Sequence, residues 1–133
     1  MKSNLLDDND SYSEVICLEV LWPPTGNHAT RHTRSGHYKT REAALYRAQV
    51  RADVCLLGLS CLPLVGPLKV SWRLSPPDRR ARDVDNVRKE LADALTLAGF
   101  WKDDSCKVIR IEQFEWTEPV PGGRVQVTAG VLQ

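Results

Sequence analysis

The sequence predicts an α/β (α+β) fold, a two-layer mixed sheet with two helices in the order β-α-β-α-β-β. Three observations lead there. Four segments alternate apolar and polar residues with the period of a strand, two carry apolar residues at helical spacing, and stretches containing Pro or Gly separate most of them. Helices and a sheet that each have one apolar side bury both in a two-layer stack. With 133 residues, 42% hydrophobic and 26% charged, the chain can build one such core and is too short for two ordinary domains.

Residues 1–13 are acidic and polar and read as a flexible tail, which leaves 14–133 as a single domain. Glu14 to Trp22 is the first strand, with Ile16, Leu18, Val20 and Trp22 on one face. Pro23 and Pro24 end it, because proline cannot donate to a sheet ladder. Thr25 to Lys39 is a long polar loop, of a kind that is often functional. Thr40 is placed to cap a helix that runs to about Leu57, with Leu45, Ala48, Ala52, Cys55 and Leu56 as its apolar stripe. Leu68 to Leu74 alternates as the second strand. A second helix spans about residues 85–98, with Val87, Leu91, Ala94, Leu95 and Ala98 inward and Gly99 as its stop. Cys106 to Trp116 is the third strand, with an irregularity near Gln113. Arg124 to Leu132 is the fourth, after the turn at Gly122-Gly123.

Eighteen Lys+Arg against 17 Asp+Glu give a formal net charge of +1. That excludes a strongly polybasic protein but hides local imbalance. Lys2 stands against Asp7, Asp8, Asp10 and Glu14 at the N-terminus. Arg31, Arg34, Lys39, Arg41, Arg47 and Arg51 stand against Glu42 alone further on, and His28, His32 and His37 lie in the same stretch. A near-neutral chain can still turn such a face to a polyanion; the alternative is an ordinary loop and a solvated helix face. No apolar run approaches the roughly 18–20 residues of a membrane span, and no glycine-rich phosphate loop occurs, so neither a membrane nor a nucleotide cofactor is expected. The acidic N-terminus does not have the pattern of a signal peptide. Cys17, Cys55, Cys61 and Cys106 form no C-x-x-C pair and read as reduced, packed thiols of a cytoplasmic protein.

The segment with chemical content is Arg79-Arg-Ala-Arg-Asp83-Val-Asp85-Asn-Val-Arg-Lys89. In extended chain, Asp83 and Asp85 project to one side. Two carboxylates so close repel unless a proton or a cation sits between them. Mg²⁺ resolves the conflict, since it takes one or two protein carboxylates and fills its shell with water and phosphate oxygens. The structural alternative is that Asp85 caps the helix that begins there. Lys89 lies one turn on, placed either to pair with Asp85 or to hold a phosphate, and Asp93 continues that face. A third carboxylate from Asp103 or Asp104 would complete a set suited to metal-assisted phosphodiester hydrolysis, if strands 68–74 and 106–116 are neighbours. Arg79, Arg80, Arg82 and Arg88 would hold the polyanion.

Pro77 to Asn86, followed by Lys89, Asp93-Ala-Leu-Thr96, Ala98-Gly-Phe-Trp101 and Asp103-Asp104, closely resembles the RusA family of Holliday-junction resolvases. Trp22-Pro-Pro-Thr-Gly-Asn27 and Arg31-His32 are similar to that family's N-terminal strand and loop, so the resemblance covers about residues 15–131. It implies a homodimeric endodeoxyribonuclease that depends on Mg²⁺, with Mn²⁺ as a substitute. Its implied action is paired symmetric nicks in four-way junction DNA. It implies metal-binding roles for Asp83, Asp85 and Asp104 and a catalytic role for Lys89. Asn86 and Asp93 match positions near the site, and Asp103 stands second to Asp104. Asn27, Arg31, His32 and Asn86 join the arginines as expected DNA contacts. A module on the same scaffold that binds branched DNA without cutting it is the alternative.

Overall fold

Ile16, Leu18 and Val20 alternate inward in strand β1 (Tyr12–Leu21), and the residues between them face out. The computed structural model describes residues 10–24, 30–33, 36–58 and 63–133. Its further elements are β2 (Thr30–Thr33), β3 (Gly36–Lys39), helix α1 (Arg41–Cys55), β4 (Leu68–Ser75), helix α2 (Val84–Leu97), β5 (Ile109–Trp116) and β6 (Arg124–Leu132). Four strands form one mixed sheet in the order β1-β6-β4-β5, with β6 antiparallel to both neighbours and β5 parallel to β4. Both helices contribute to one core against that sheet, as the two-layer expectation requires. No helix among the described residues is long and apolar enough to cross a membrane.

Several boundaries follow local chemistry. Thr40 Oγ1 accepts from the Ala43 backbone N–H at 3.2 Å and caps α1. Gly99, at φ +83°, follows α2; the Phe100 N–H reaches back to Leu95 O and the Gly99 N–H to Thr96 O, at 3.0 and 3.1 Å. That pair of bonds is a Schellman stop, and the positive φ is why glycine stands there. Val87, Leu91, Ala94 and Leu95 are buried in α2, as their spacing indicates.

Other expectations need correction. The polar stretch 25–39 contains a hairpin, in which β2 and β3 pair antiparallel. Strand β1 starts at Tyr12, ahead of the expected Glu14. Asp10, also in the stretch read as tail, accepts from Lys69 Nζ at 2.7 Å, which lowers its carboxyl pKa from the usual value. Helix α1 turns Ala43, Tyr46, Val50 and Val54 inward, while Leu45 and Leu56 are exposed. The deciding contact is Tyr46, whose hydroxyl donates to Leu21 O at 2.8 Å beneath the helix; burial raises that phenol's pKa. Strand β5 begins at Ile109, and its irregularity falls opposite Leu68/Lys69, where Arg110 is the extra residue. Cys17, Cys55 and Cys106 are free and exposed rather than packed. Cys17 lies on the outward parity of β1, and Cys106 sits in a turn.

The turn before β6 sets the wall of the site. Gly123 has φ +75°, and a Cβ there would lie 2.7 Å from Trp22 Cβ. Gly123→Ala is expected to cost about 1–3 kcal/mol through overpacking and a disfavoured backbone angle. It should also displace Trp22. A thermal melt together with tryptophan emission checks both, and an unchanged melt and spectrum would contradict the close contact.

Candidate active site

Strand β4 ends at Ser75, and the chain then turns through Pro76 to Arg82 before α2. Asp78 organises that turn. Its carboxylate accepts from Arg80 Nη2 at 3.0 Å and from the Arg80 backbone N–H at 3.0 Å, and it pairs with Arg82 Nη2 at 2.8 Å. The Arg80 hydrogen bonds hold the Asp78 carboxyl well below the usual carboxylate range. Arg82 also donates to the backbone oxygens of Asp78 and Arg80, and its guanidinium lies 5.7 Å from the centre of the Trp22 ring. Arg82 is thus mostly covered, whereas Arg79 and Arg80 project into solvent; Arg79 meets Glu118 at 3.0 Å there. Trp22 in turn stands 6.1 Å from Trp116, ring centre to ring centre.

The head of α2 carries the acidic pair. Asp83 is the N-cap residue with extended backbone (φ −89°, ψ 130°), yet its side chain makes no capping bond. Asp85 follows in the first turn. Both are exposed, and neither has a side-chain hydrogen bond or ion pair among the described residues. The cap position thus falls at Asp83 rather than Asp85, and Asp85 is helical, so the two are not successive same-side residues of an extended chain; no capping hydrogen bond accounts for either carboxylate among the described residues. Asp83 opens onto a cleft of about 330 Å³, lined also by Trp22, Pro23, Pro24, Arg82 and Asn86.

Lys89 is exposed one turn after Asp85, and its Nζ lies 3.3 Å from Asp93 Oδ2. Asp93 also approaches Arg47 of α1, at 3.9 Å, beside the buried Glu90 at 3.8 Å. Asp93 thus ties Lys89 to the helix pair. Strands β4 and β5 are neighbours as supposed, but parallel. A parallel crossover starts α2 at the C-terminal end of β4 and returns the chain to the level of that strand's start. Asp104 nevertheless comes within 3.8 Å of Arg88 Nη1, one turn past Asp85. Asp103 is occupied locally: its Oδ1 accepts the Ser105 backbone N–H at 2.8 Å, and the Ser105 side chain, followed by that backbone bond, lowers its carboxyl pKa.

This donor set suits a hard divalent cation. Among the described residues no donor claims the oxygens of Asp83 and Asp85, and Mg²⁺ is commonly held by one or two carboxylates plus water and phosphate. No group of three or more His, Cys, Asp or Glu is gathered into a metal site among the described residues; Asp104 meets Arg88 on the flank of α2 and is not closed onto the pair.

A profile of the family described as "Endodeoxyribonuclease RusA" matches residues 22–128. Proteins named crossover junction endodeoxyribonuclease RusA from Escherichia coli K12 and from Enterobacteria phage 82 are each 38% identical over 112 residues, covering 84% of this chain and 90% of their own. The protein of that name from Shigella sonnei matches to the same extent. The chain belongs to the RusA family of endodeoxyribonucleases.

Within this RusA-family chain, the structure brings Asp83, Asp85, Asn86, Lys89, Asp93 and Asp104 to the head and flank of α2, with Arg79, Arg80 and Arg82 on the turn before it. Asn27 lies outside the described residues; Arg31 and His32 lie on β2, opposite Tyr38 and His37 of β3. Arg88 differs from expectation. Its Nε and Nη2 donate to the two Glu112 oxygens at 3.1 Å each, so the guanidinium is engaged by protein rather than free for a phosphate. Sequence reasoning missed Asp78, Glu90 and Glu112, and it placed Arg47 on a basic face where the structure sets it against Glu90 and Asp93. Glu112 had a signal: it occupies the helix-facing parity of β5 with Phe114 and Trp116, a place for an apolar residue.

Proposed function

We propose that the chain is a divalent-metal-dependent endodeoxyribonuclease that resolves four-way DNA junctions by paired, symmetric nicks. The observation that carries the reading is the pair Asp83 and Asp85 at the head of α2, which no donor among the described residues claims, in a chain whose relatives bear the name crossover junction endodeoxyribonuclease.

Asp83, Asp85 and Asp104 would hold Mg²⁺, with Mn²⁺ as a substitute. When bound, the metal supplies an activated water and offsets the negative charge that develops at phosphorus. The remaining work belongs to the chain. Lys89, oriented by Asp93, presents its ammonium to the scissile phosphate or the leaving oxygen. Arg79 and Arg80, exposed on the preceding turn, contact phosphates of the approaching strand. Arg82, held against Trp22 by Asp78, stiffens that turn, and Asn86 faces the cleft beside Asp83. Asn27, Arg31 and His32 would extend the contact along the DNA. A two-fold dimer would present one such site to each of the two strands that must be cut.

The test is a synthetic junction with each strand end-labelled in turn, incubated with the purified protein in Mg²⁺ or in EDTA. Nicks at equivalent positions on two opposing strands, in Mg²⁺ only, are the expected result. Salt-sensitive binding without any nick would instead establish the binding module.

A further inference from the structure

We propose that Arg88 and Glu112 are positioning residues, which set Asp104 beside the Asp83–Asp85 pair. The inference rests on the metal-nuclease reading above. The fold makes such a device necessary. Asp85 lies where α2 begins, and Asp104 lies after it ends, on the return to a parallel neighbour. Topology alone would leave the two at opposite ends of the helix.

A chain of contacts closes the gap from the core outward. Trp72 is almost wholly buried in β4, and its Nε1 donates to Glu112 Oε2 at 2.8 Å. Glu112, so fixed, receives both Nε and Nη2 of Arg88 at 3.1 Å. A two-bond Arg–carboxylate fork fixes orientation as well as distance. Arg88 then presents Nη1 to Asp104 Oδ2 at 3.8 Å and Nη2 to the Asp104 backbone oxygen at 3.5 Å. Arg88, Glu112 and Asp104 are all partly covered, with side-chain exposures of 27, 23 and 31%, so the fork is less screened than a surface pair. Losing a group that orients a metal ligand typically costs about ten- to a hundredfold in metal affinity.

The sign of one substitution separates positioning from simple charge. Arg88→Gln removes a cation beside carboxylates, which by Coulomb's law alone would tighten binding of a divalent ion. Loss of a positioning residue would weaken it. Mn²⁺ is titrated calorimetrically into wild type, Arg88→Gln and Arg88→Lys without DNA, and melting temperatures are recorded alongside. Arg88→Gln is expected to weaken Mn²⁺ binding about tenfold or more, the usual effect of losing an outer-shell partner. Arg88→Lys, which keeps the charge and loses the fork, should fall between it and wild type. Equal or tighter binding by folded Arg88→Gln overturns the proposal. Should that variant fail to fold, Trp72→Phe breaks the same chain without altering any charge, and unchanged affinity there overturns it too. The two readings fail differently: wild type that binds no Mn²⁺ removes the metal reading itself, whereas intact wild-type binding with indifferent variants removes only the positioning role.

Discussion

Asp85→Asn is expected to lower junction cleavage by at least about a thousandfold, the scale of several kcal/mol that a metal contributes to transition-state charge. Junction binding should be kept or tightened. The two effects run in opposite directions for one reason. The carboxylate that anchors the cation is also a negative charge beside the phosphates of the incoming strand, so neutralising it removes a ligand and a repulsion together. The substitution is nearly isosteric, the side chain is exposed, and it makes no capping bond or ion pair among the described residues, so folding should be unaffected. Gel-shift affinity in Ca²⁺ or EDTA, single-turnover nicking in Mg²⁺ and a thermal melt read the three quantities separately. Joint loss of stability and binding would return Asp85 to a purely structural role at the head of α2.

What could be read from the sequence was local. The apolar stripe of α2, the Thr40 cap and the Gly99 stop each depend on residues within a turn or two, and the structure agrees with all three. The Asp-x-Asp spacing and the arginines before it are equally local. Helix α1 shows where this ends. It carries two apolar stripes, one through Leu45 and Leu56 and one through Tyr46 and Val50. Propensity cannot choose between them; the choice is made by Tyr46 reaching Leu21 across the helix–sheet interface. The pairing of Arg88 was hidden for the same reason. Its partner Glu112 is 24 positions away, on a strand whose neighbour is fixed only by tertiary pairing. Hairpin β2–β3 lacks apolar alternation, so polar residues hid a regular element. The outward position of Cys17 was legible after all, since inward Ile16 and Leu18 leave it no other side.

The link between the two helices is expected to carry a large stability effect outside the apolar core. Arg47 of α1 reaches toward Glu90 and Asp93 of α2 at 3.8 and 3.9 Å, and its Nε and Nη2 are buried without a hydrogen-bond partner among the described residues. Side-chain exposures of 17% for Arg47 and 5% for Glu90 mean both charges are largely removed from water. Removing one member of such a pair leaves the other stranded, a loss of about 3–5 kcal/mol. Glu90→Ala is expected near the lower end, because Asp93 stays as a weaker partner. Replacing both together, Arg47→Met with Glu90→Leu, is expected to be neutral or stabilising by about 1–4 kcal/mol, since long distances and orphaned nitrogens recover little of the desolvation cost. Urea unfolding of the two variants measures the difference. Junction nicking should survive the double change, because Lys89 keeps its contact with Asp93 in the absence of either residue. A double variant as unstable as Glu90→Ala would show that the ion pair stabilises the helix interface in its own right. Stable protein with nicking lost would show instead that Arg47, through Asp93, sets the reach of Lys89.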